Sequence, residues 1–169
     1  MMRDEIQHVA LGMSVNYSGL FRYVDLMAMI DTFFKKKGYR KHIISHNEAV
    51  KDKFRNVSMR LRPFKQIKGN KLEIQMWLNI TEMEDISKKM DNLNVNMNKG
   101  KVSIVIDCFV LTDVRGKWEA RAEYTFIRTI FDKLLFRSKS KDLEGMVKSD
   151  SVELKDELQS FLNLNKFLF

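Results

Sequence analysis

Positive charge is concentrated in one stretch of this 169-residue chain. Between Lys35 and Lys71 there are thirteen Lys or Arg residues and two acids, a net charge of +11, whereas the whole chain carries +8. Such an uneven distribution of charge influences which partners a protein binds and how fast it associates with them, rather than its fold. It predicts a polyanionic partner: a nucleic acid, an anionic membrane surface or an acidic protein.

Some of these cations are expected to share one outer surface, where they would contact phosphates without reading base sequence. Interleaved aromatic side chains would stack on bases. The candidate anion- or nucleic-acid-binding residues are Lys35, Lys36, Lys37, Arg40, Lys41, Arg60, Arg62, Lys65, Lys68 and Lys71. The candidate stacking or interface residues are Tyr39, Phe64 and Trp77. The alternative is scattered solubilising charge, with Tyr39 and Phe64 in the core and Trp77 covered by the C-terminal helix; for Trp77 that covered packing is the preferred interpretation.

The remaining reactive side chains form no catalytic pattern. His42 and His46 lack a third ligand, and Cys108 lies on an apolar strand face without a base beside it. Asp107 is expected to form cross-strand ion pairs with the charged residues at 119–123. No glycine-rich nucleotide loop, nucleophile elbow, helix-turn-helix or RNA-binding sheet motif occurs. We therefore predict a protein that is not an enzyme and that uses no cofactor or metal.

Apolar spacing predicts one helix near the N-terminus. Residues 1–19 form a lead-in that is either an early strand or irregular chain. From residue 20 to residue 37 apolar side chains recur every three or four positions, with Ser18 as the N-cap and Gly38 as the stop.

Period-two alternation predicts the strands. They are expected at residues 39–47, 54–67, 72–81, 102–110 and 118–126. Pro63 cannot donate to a ladder, so it indicates an edge or a bulge. The Asn-rich residues 84–100 are expected to form a long polar connection.

The period returns to that of a helix near Thr125. Residues 137–149 are compatible with helix or loop. A final helix over residues 150–166 would start at Asp150, with Glu153 three residues later as in a capping box. The apolar residues 167–169 are expected to dock on the core or on a partner.

These elements predict an α+β fold: an antiparallel sheet of four to five strands, with an N-terminal helix and one or two C-terminal helices packed on one face. Residues 1–169 would form a single domain, with the lead-in at 1–19, the α+β core at 20–137 and the C-terminal helix at 150–166. The N-terminus has no signal-like apolar run and no segment is long and apolar enough to span a membrane, which predicts a cytoplasmic protein.

Several short motifs resemble those of a group of small uncharacterised archaeal proteins. They are Tyr17-Ser18-Gly19-Leu20-Phe21, Lys36-Lys37-Gly38-Tyr39, Asn98-Lys99-Gly100-Lys101-Val102 and Gly116-Lys117-Trp118-Glu119. The likeness covers about residues 17–137. It implies an archaeal, cytoplasmic protein, and it brings no activity and no functional residues with it.

Three functions fit these patterns. The first is a non-enzymatic binding protein whose basic surface, residues 35–71, contacts an anionic macromolecule, with RNA or a ribonucleoprotein as the leading partner and an acidic protein surface as another. The second is a helix-grip ligand-binding protein with a cavity lined by Met27, Met59 and Met76. The third is a structural subunit of a homo- or hetero-oligomer assembled through the C-terminal helix.

Overall fold

The computed structural model describes the backbone of residues 5–90, 93–112 and 125–168, and the side chains of residues 6–89, 93–112 and 141–166. In chain order the elements are β1 (Glu5–Phe21), α1 (Tyr23–Lys36), β2 (Ile43–Lys51), β3 (Phe54–Leu61), β4 (Phe64–Ile67), β5 (Asn70–Met90), β6 (Leu93–Thr112) and α2 (Thr125–Leu168). The predicted α+β class with an antiparallel sheet is confirmed. Within the described ranges the sheet has six strands, rather than four or five.

All the strand pairs are antiparallel, in the spatial order β1-β6-β5-β3-β2, with β4 paired to β5 off this path. The predicted strand 54–67 is in fact two strands, because Pro63 separates β3 from β4 and lacks the N–H that a continuous ladder needs. Asp52 and Lys53 form the two-residue turn between β2 and β3.

The core lies on one face of the sheet, here called the inner face. Alternate side chains of β5 and β6 are completely buried there, as period-two alternation predicts: Leu72, Ile74, Met76, Leu78 and Ile80 with Ile104, Ile106 and Cys108. Leu26, Ile30 and Phe33 of α1 and Val147, Leu154 and Leu158 of α2 belong to the same cluster. Both helices therefore pack on the inner face, and the opposite side of the sheet is called the outer face.

The N-terminal segment is a strand, the first of the two alternatives predicted for the lead-in. It has 17 residues and pairs with β6 along its length, so Ser18 lies in this strand rather than at the predicted helix N-cap. Helix α1 begins at Tyr23, whose backbone N–H donates to Asn98 Oδ1 at 2.8 Å. A side chain 75 residues away in the sequence thus satisfies one of the unpaired donors at the helix N-terminus.

The predicted polar connection 84–100 is wrong. Its residues extend β5 and β6 into a two-stranded ribbon that is paired from Glu84↔Lys99 to Met90↔Leu93. Leu93, Val95 and Met97 do alternate with asparagines there, and Met97 is buried. The asparagine-rich composition, which is typical of turns and loops, outweighed this signal in the prediction.

The C-terminal helices are also joined, since Thr125–Leu168 is one helix of 44 residues. Residues 137–149 are therefore helical, and Asp150 is not an N-cap but a mid-helix residue. Thr125 and Phe126, which were expected to end a strand, lie in α2. Residues 118–124 of that expected strand fall outside the described residues.

Candidate functional site

The ten candidate cations fall into two groups. Lys35, Lys36, Lys37, Arg40, Lys41 and Lys65 lie around the C-terminal end of α1 and β4, whereas Arg60, Arg62 and Lys71 lie on the outer face and Lys68 in the β4–β5 turn. The end of α1 adjoins β4 because Arg40 and Phe64 exchange backbone hydrogen bonds of 2.7 and 3.1 Å. Lys65 Nζ also donates to the Lys37 carbonyl at 3.3 Å.

Acids of α2 neutralise two cations of the first group, Lys37 and Lys65. Lys65 Nζ lies 2.7 Å from Asp150 Oδ2, and Lys37 Nζ lies 3.5 Å from Asp150 Oδ1 and also donates to Glu153. The Lys65 and Asp150 side chains are only 14% and 10% exposed. We call Lys37, Tyr39, Lys65, Asp150 and Glu153 the seam cluster, because it fastens α2 to the end of α1 and to β4.

Tyr39 lies at the centre of the seam cluster and is not available for stacking on a base. It is 5% exposed, its hydroxyl donates to Asp150 Oδ2 at 2.9 Å, and the Lys65 ammonium lies 4.3 Å from its ring centroid. Burial, with the Asp150 carboxylate as a second cause, raises the pKa of Tyr39 well above its ordinary 10.0. The hydrogen bond to Glu153 likewise raises the pKa of Lys37.

The raised pKa of Tyr39 predicts a loss of stability in alkali. Below pH 10 the tyrosine is protonated in both folded and unfolded chains; above pH 10 the unfolded chain releases the proton and the folded chain keeps it, so unfolding becomes more favourable. In urea unfolding at pH 8 to 11, Tyr39→Phe should be less stable by about 1 kcal/mol at pH 8, through loss of its hydrogen bond. Its decline above pH 10 should be shallower than that of the parent, and parallel curves would contradict this account.

The second group surrounds an aromatic residue on the outer face. Arg60 of β3 and Trp77 of β5 are cross-strand partners, and the guanidinium carbon lies 5.1 Å from the Trp77 ring centroid. Arg60 Nε is buried without a hydrogen-bond partner. Trp77 is half-buried, and the buried side chains of α2 lie in the inner-face core. The preferred interpretation that the C-terminal helix covers Trp77 is therefore not what the described residues show.

Glu73 holds two of the outer-face cations. Its side chain is 2% exposed and lies between Arg62 Nη2 at 2.6 Å and Lys71 Nζ at 2.9 Å. The Lys71 ammonium lies 4.6 Å from the centroid of the half-buried Phe64 ring. The side chains of Arg62 and Lys71 are 38% and 35% exposed, so each can still contact a ligand.

Beyond Trp77 the outer face continues as a row of small polar side chains. Ser58, Asn79, Ser103 and Asn16 are cross-strand neighbours on β3, β5, β6 and β1, and Ser58 donates to Asn79 at 2.8 Å. An open depression of about 380 Å³ follows this row, and Ser18, Thr81 and Lys101 also line it. These residues were not among the predicted site residues, although their polar alternation with buried positions was the signal that could have found them.

A second depression, of about 790 Å³, lies on the other side of the molecule between α1 and α2. Met29, Val152, Phe161 and Leu164 supply its apolar part, and Glu153, Asp156 and Glu157 its acids. Its acidic character makes it unsuited to a polyanion. Of the side chains predicted to line a helix-grip cavity, Met59 and Met76 are buried in the core and Met27 is half-buried against it.

The remaining candidate residues contribute to the fold. Asp107 accepts a hydrogen bond of 2.6 Å from the Gly12 N–H, at a bulge where Gly12 has φ 71°. The charged residues 119–123, its expected partners, lie outside the described residues. Burial raises the pKa of the Cys108 thiol, so it is a poor nucleophile.

Among the described residues, no group of three or more His, Cys, Asp or Glu side chains is placed to hold a metal ion. No helix in that part of the chain has the length and apolar character to cross a membrane.

Comparison with known proteins adds no assignment. No protein-family model and no curated protein matches the chain. The resemblance to small archaeal proteins remains a prediction.

Proposed function

We propose that this chain is a non-enzymatic binding protein that contacts single-stranded nucleic acid, RNA in the first place, through the outer face of its sheet. The observation that carries the proposal is the Arg60–Trp77 pair on a sheet face that continues into a row of polar side chains. An aromatic ring on a sheet face is a platform on which an unpaired base can stack, and such stacking is tolerant of sequence.

The cations around this platform supply the phosphate contacts. Arg62 and Lys71 keep part of their surface exposed beside Glu73, and the half-buried Arg60 adds positive charge beside Trp77. The binding surface is therefore narrower than residues 35–71, because Lys37 and Lys65 are engaged with Asp150. Single strands fit this site better than duplex DNA does, since stacking on Trp77 requires an accessible base face.

The test is fluorescence anisotropy with a labelled single-stranded RNA, measured over a series of salt concentrations. Trp77→Ala should weaken binding by about 5- to 150-fold, the equivalent of about 1–3 kcal/mol for one stacked base, with the salt slope unchanged. Arg60→Gln should weaken binding and reduce the slope of log affinity against log salt by about 0.7, because one phosphate contact is lost.

The matched control is Lys36→Gln, which removes one positive charge from the exposed end of α1, away from the outer face. It should leave the salt slope nearly unchanged. If Lys36→Gln costs as much affinity as Arg60→Gln, or if the parent protein binds no RNA at low salt, the outer face is not the binding site.

A further inference from the structure

The edge of the sheet at β2 is open. Within the described residues β2 pairs only with β3, and eight of its nine residues are exposed. Three of them are large and apolar, with Ile43, Ile44 and Val50 exposed to 47%, 41% and 71%. An edge strand with free backbone groups and apolar side chains is a template for another strand.

The opposite edge, at β1, is interrupted within the strand, whereas β2 is interrupted only at its start. Two register shifts interrupt β1 between His8 and Met13, and Gly12 there has a positive φ. β2 has one register shift, at its start between Ile43 and Ser45, whereas its pairing from Ser45 to Lys51 is regular and its sequence has no proline. Bulges and prolines are common means of preventing edge-to-edge pairing, so residues 45–51 of β2 form the edge segment that remains competent to pair.

The direction of the β2 backbone groups follows from the turn. In an antiparallel pair, residues alternate between those bonded to the neighbouring strand and those whose N–H and C=O point away. Lys51 and Phe54 close the two-residue turn and so form a bonded pair. Counting back by twos from Lys51 gives the residues bonded to β3, and the residues between them, His46, Glu48 and Val50, direct their backbone groups to the open edge.

We infer that β2 pairs antiparallel with β2 of a second copy of this chain, in a register centred on Asn47. This register is self-complementary: His46 faces Glu48 of the second copy, Glu48 faces its His46, and Asn47 faces its Asn47. The His46 imidazole can donate a hydrogen bond to the facing Glu48 carboxylate, and both side chains are exposed in one chain. Polar cross-strand pairs stabilise a ladder, and the two-fold symmetry makes this pair occur twice.

The same register satisfies the backbone. His46 and Glu48 are both residues with outward N–H and C=O groups, so each facing pair exchanges two backbone hydrogen bonds. The Glu48 carboxylate, which lies 3.1 Å from Arg55 Nη1 in its own chain, is 39% exposed and retains room for a second partner.

Such a dimer would join the two sheets into one. The two β3 strands would lie three strand spacings apart, about 14 Å, so that both Arg60–Trp77 pairs would share one continuous outer face. The dimer itself does not depend on nucleic-acid binding, and its test contains no nucleic acid.

The test is sedimentation equilibrium of the full chain, in which the parent is compared with a variant that blocks the β2 edge and with a control variant that does not. Glu48→Pro removes an N–H that points away from β3 and places the proline ring at the open edge, whereas Glu48→Ala removes the same carboxylate and keeps the N–H. We expect a dimer for the parent, a monomer for Glu48→Pro and a weakened dimer for Glu48→Ala. A monomeric parent, or a Glu48→Pro variant as dimeric as Glu48→Ala, would overturn the inference.

A second pair of variants decides the register even if Glu48→Pro fails to fold. His46→Glu would place two like-charged pairs across the edge, and we expect it to weaken the dimer by about tenfold or more. His46→Lys would make both pairs opposite in charge and should bind at least as tightly as the parent. Equal dissociation constants for these two variants would exclude the register centred on Asn47.

Discussion

Replacing Asp150 with alanine is expected to lower the free energy of unfolding by about 3–5 kcal/mol, because it leaves a buried ammonium without its counter-charge. Asp150 is the carboxylate that Lys65, Lys37 and the Tyr39 hydroxyl share, and Lys65 is only 14% exposed. Losing this residue also loosens the attachment of α2 to the end of α1. Urea unfolding followed by far-ultraviolet circular dichroism measures the change.

Two further variants separate charge from packing in the seam cluster. Asp150→Asn keeps the side-chain shape and an acceptor for Tyr39, so it should lower the free energy of unfolding by less than Asp150→Ala does. The double variant Lys65→Met with Asp150→Ala also removes the unpaired ammonium of Lys65, so it should be more stable than Asp150→Ala alone. If the double variant is less stable than Asp150→Ala, the unpaired charge of Lys65 is not the cause of the stability that Asp150→Ala loses.

Replacing Glu73 with glutamine is expected to change stability and nucleic-acid affinity in opposite directions. Arg62 and Lys71 would lose their common partner, and because both are partly hydrated the cost should be about 1–3 kcal/mol. The same change removes a negative charge from the proposed binding face and frees the two cations for phosphates. Affinity for single-stranded RNA should therefore rise by about fivefold, equivalent to about 1 kcal/mol.

Asp31→Asn is the matched control for Glu73→Gln. Asp31 of α1 forms a salt bridge with Lys41, in which Oδ1 lies 2.7 Å from Nζ. The Asp31 side chain is 47% exposed. It carries the same charge but lies away from the outer face, so its removal should leave affinity nearly unchanged. If both substitutions raise affinity equally, net charge rather than the outer face governs binding.

The fold was predictable wherever burial imposes a period on the sequence. Leu72 to Ile80 alternate because one face of β5 lies against the helices, and residues 20–37 repeat at helical spacing because α1 buries one stripe. Prediction was weaker where composition or a bulge obscures the period. Residues 84–100 are rich in asparagine, although Leu93, Val95 and Met97 alternate there. β1 is interrupted by a bulge at Gly12, so the sequence left strand and irregular chain as alternatives for it.

The candidate site was predictable in composition but not in arrangement. Because lysine and arginine are abundant between residues 35 and 71, the sequence alone determined that this region carries the positive charge, and alternation placed Arg60, Arg62 and Trp77 on the same side of the sheet. Only the tertiary structure decided which cations stay available. Asp150 lies 85 residues from Lys65, and no local pattern encodes a contact at that separation, whereas the packing of α2 brings the two charges to 2.7 Å.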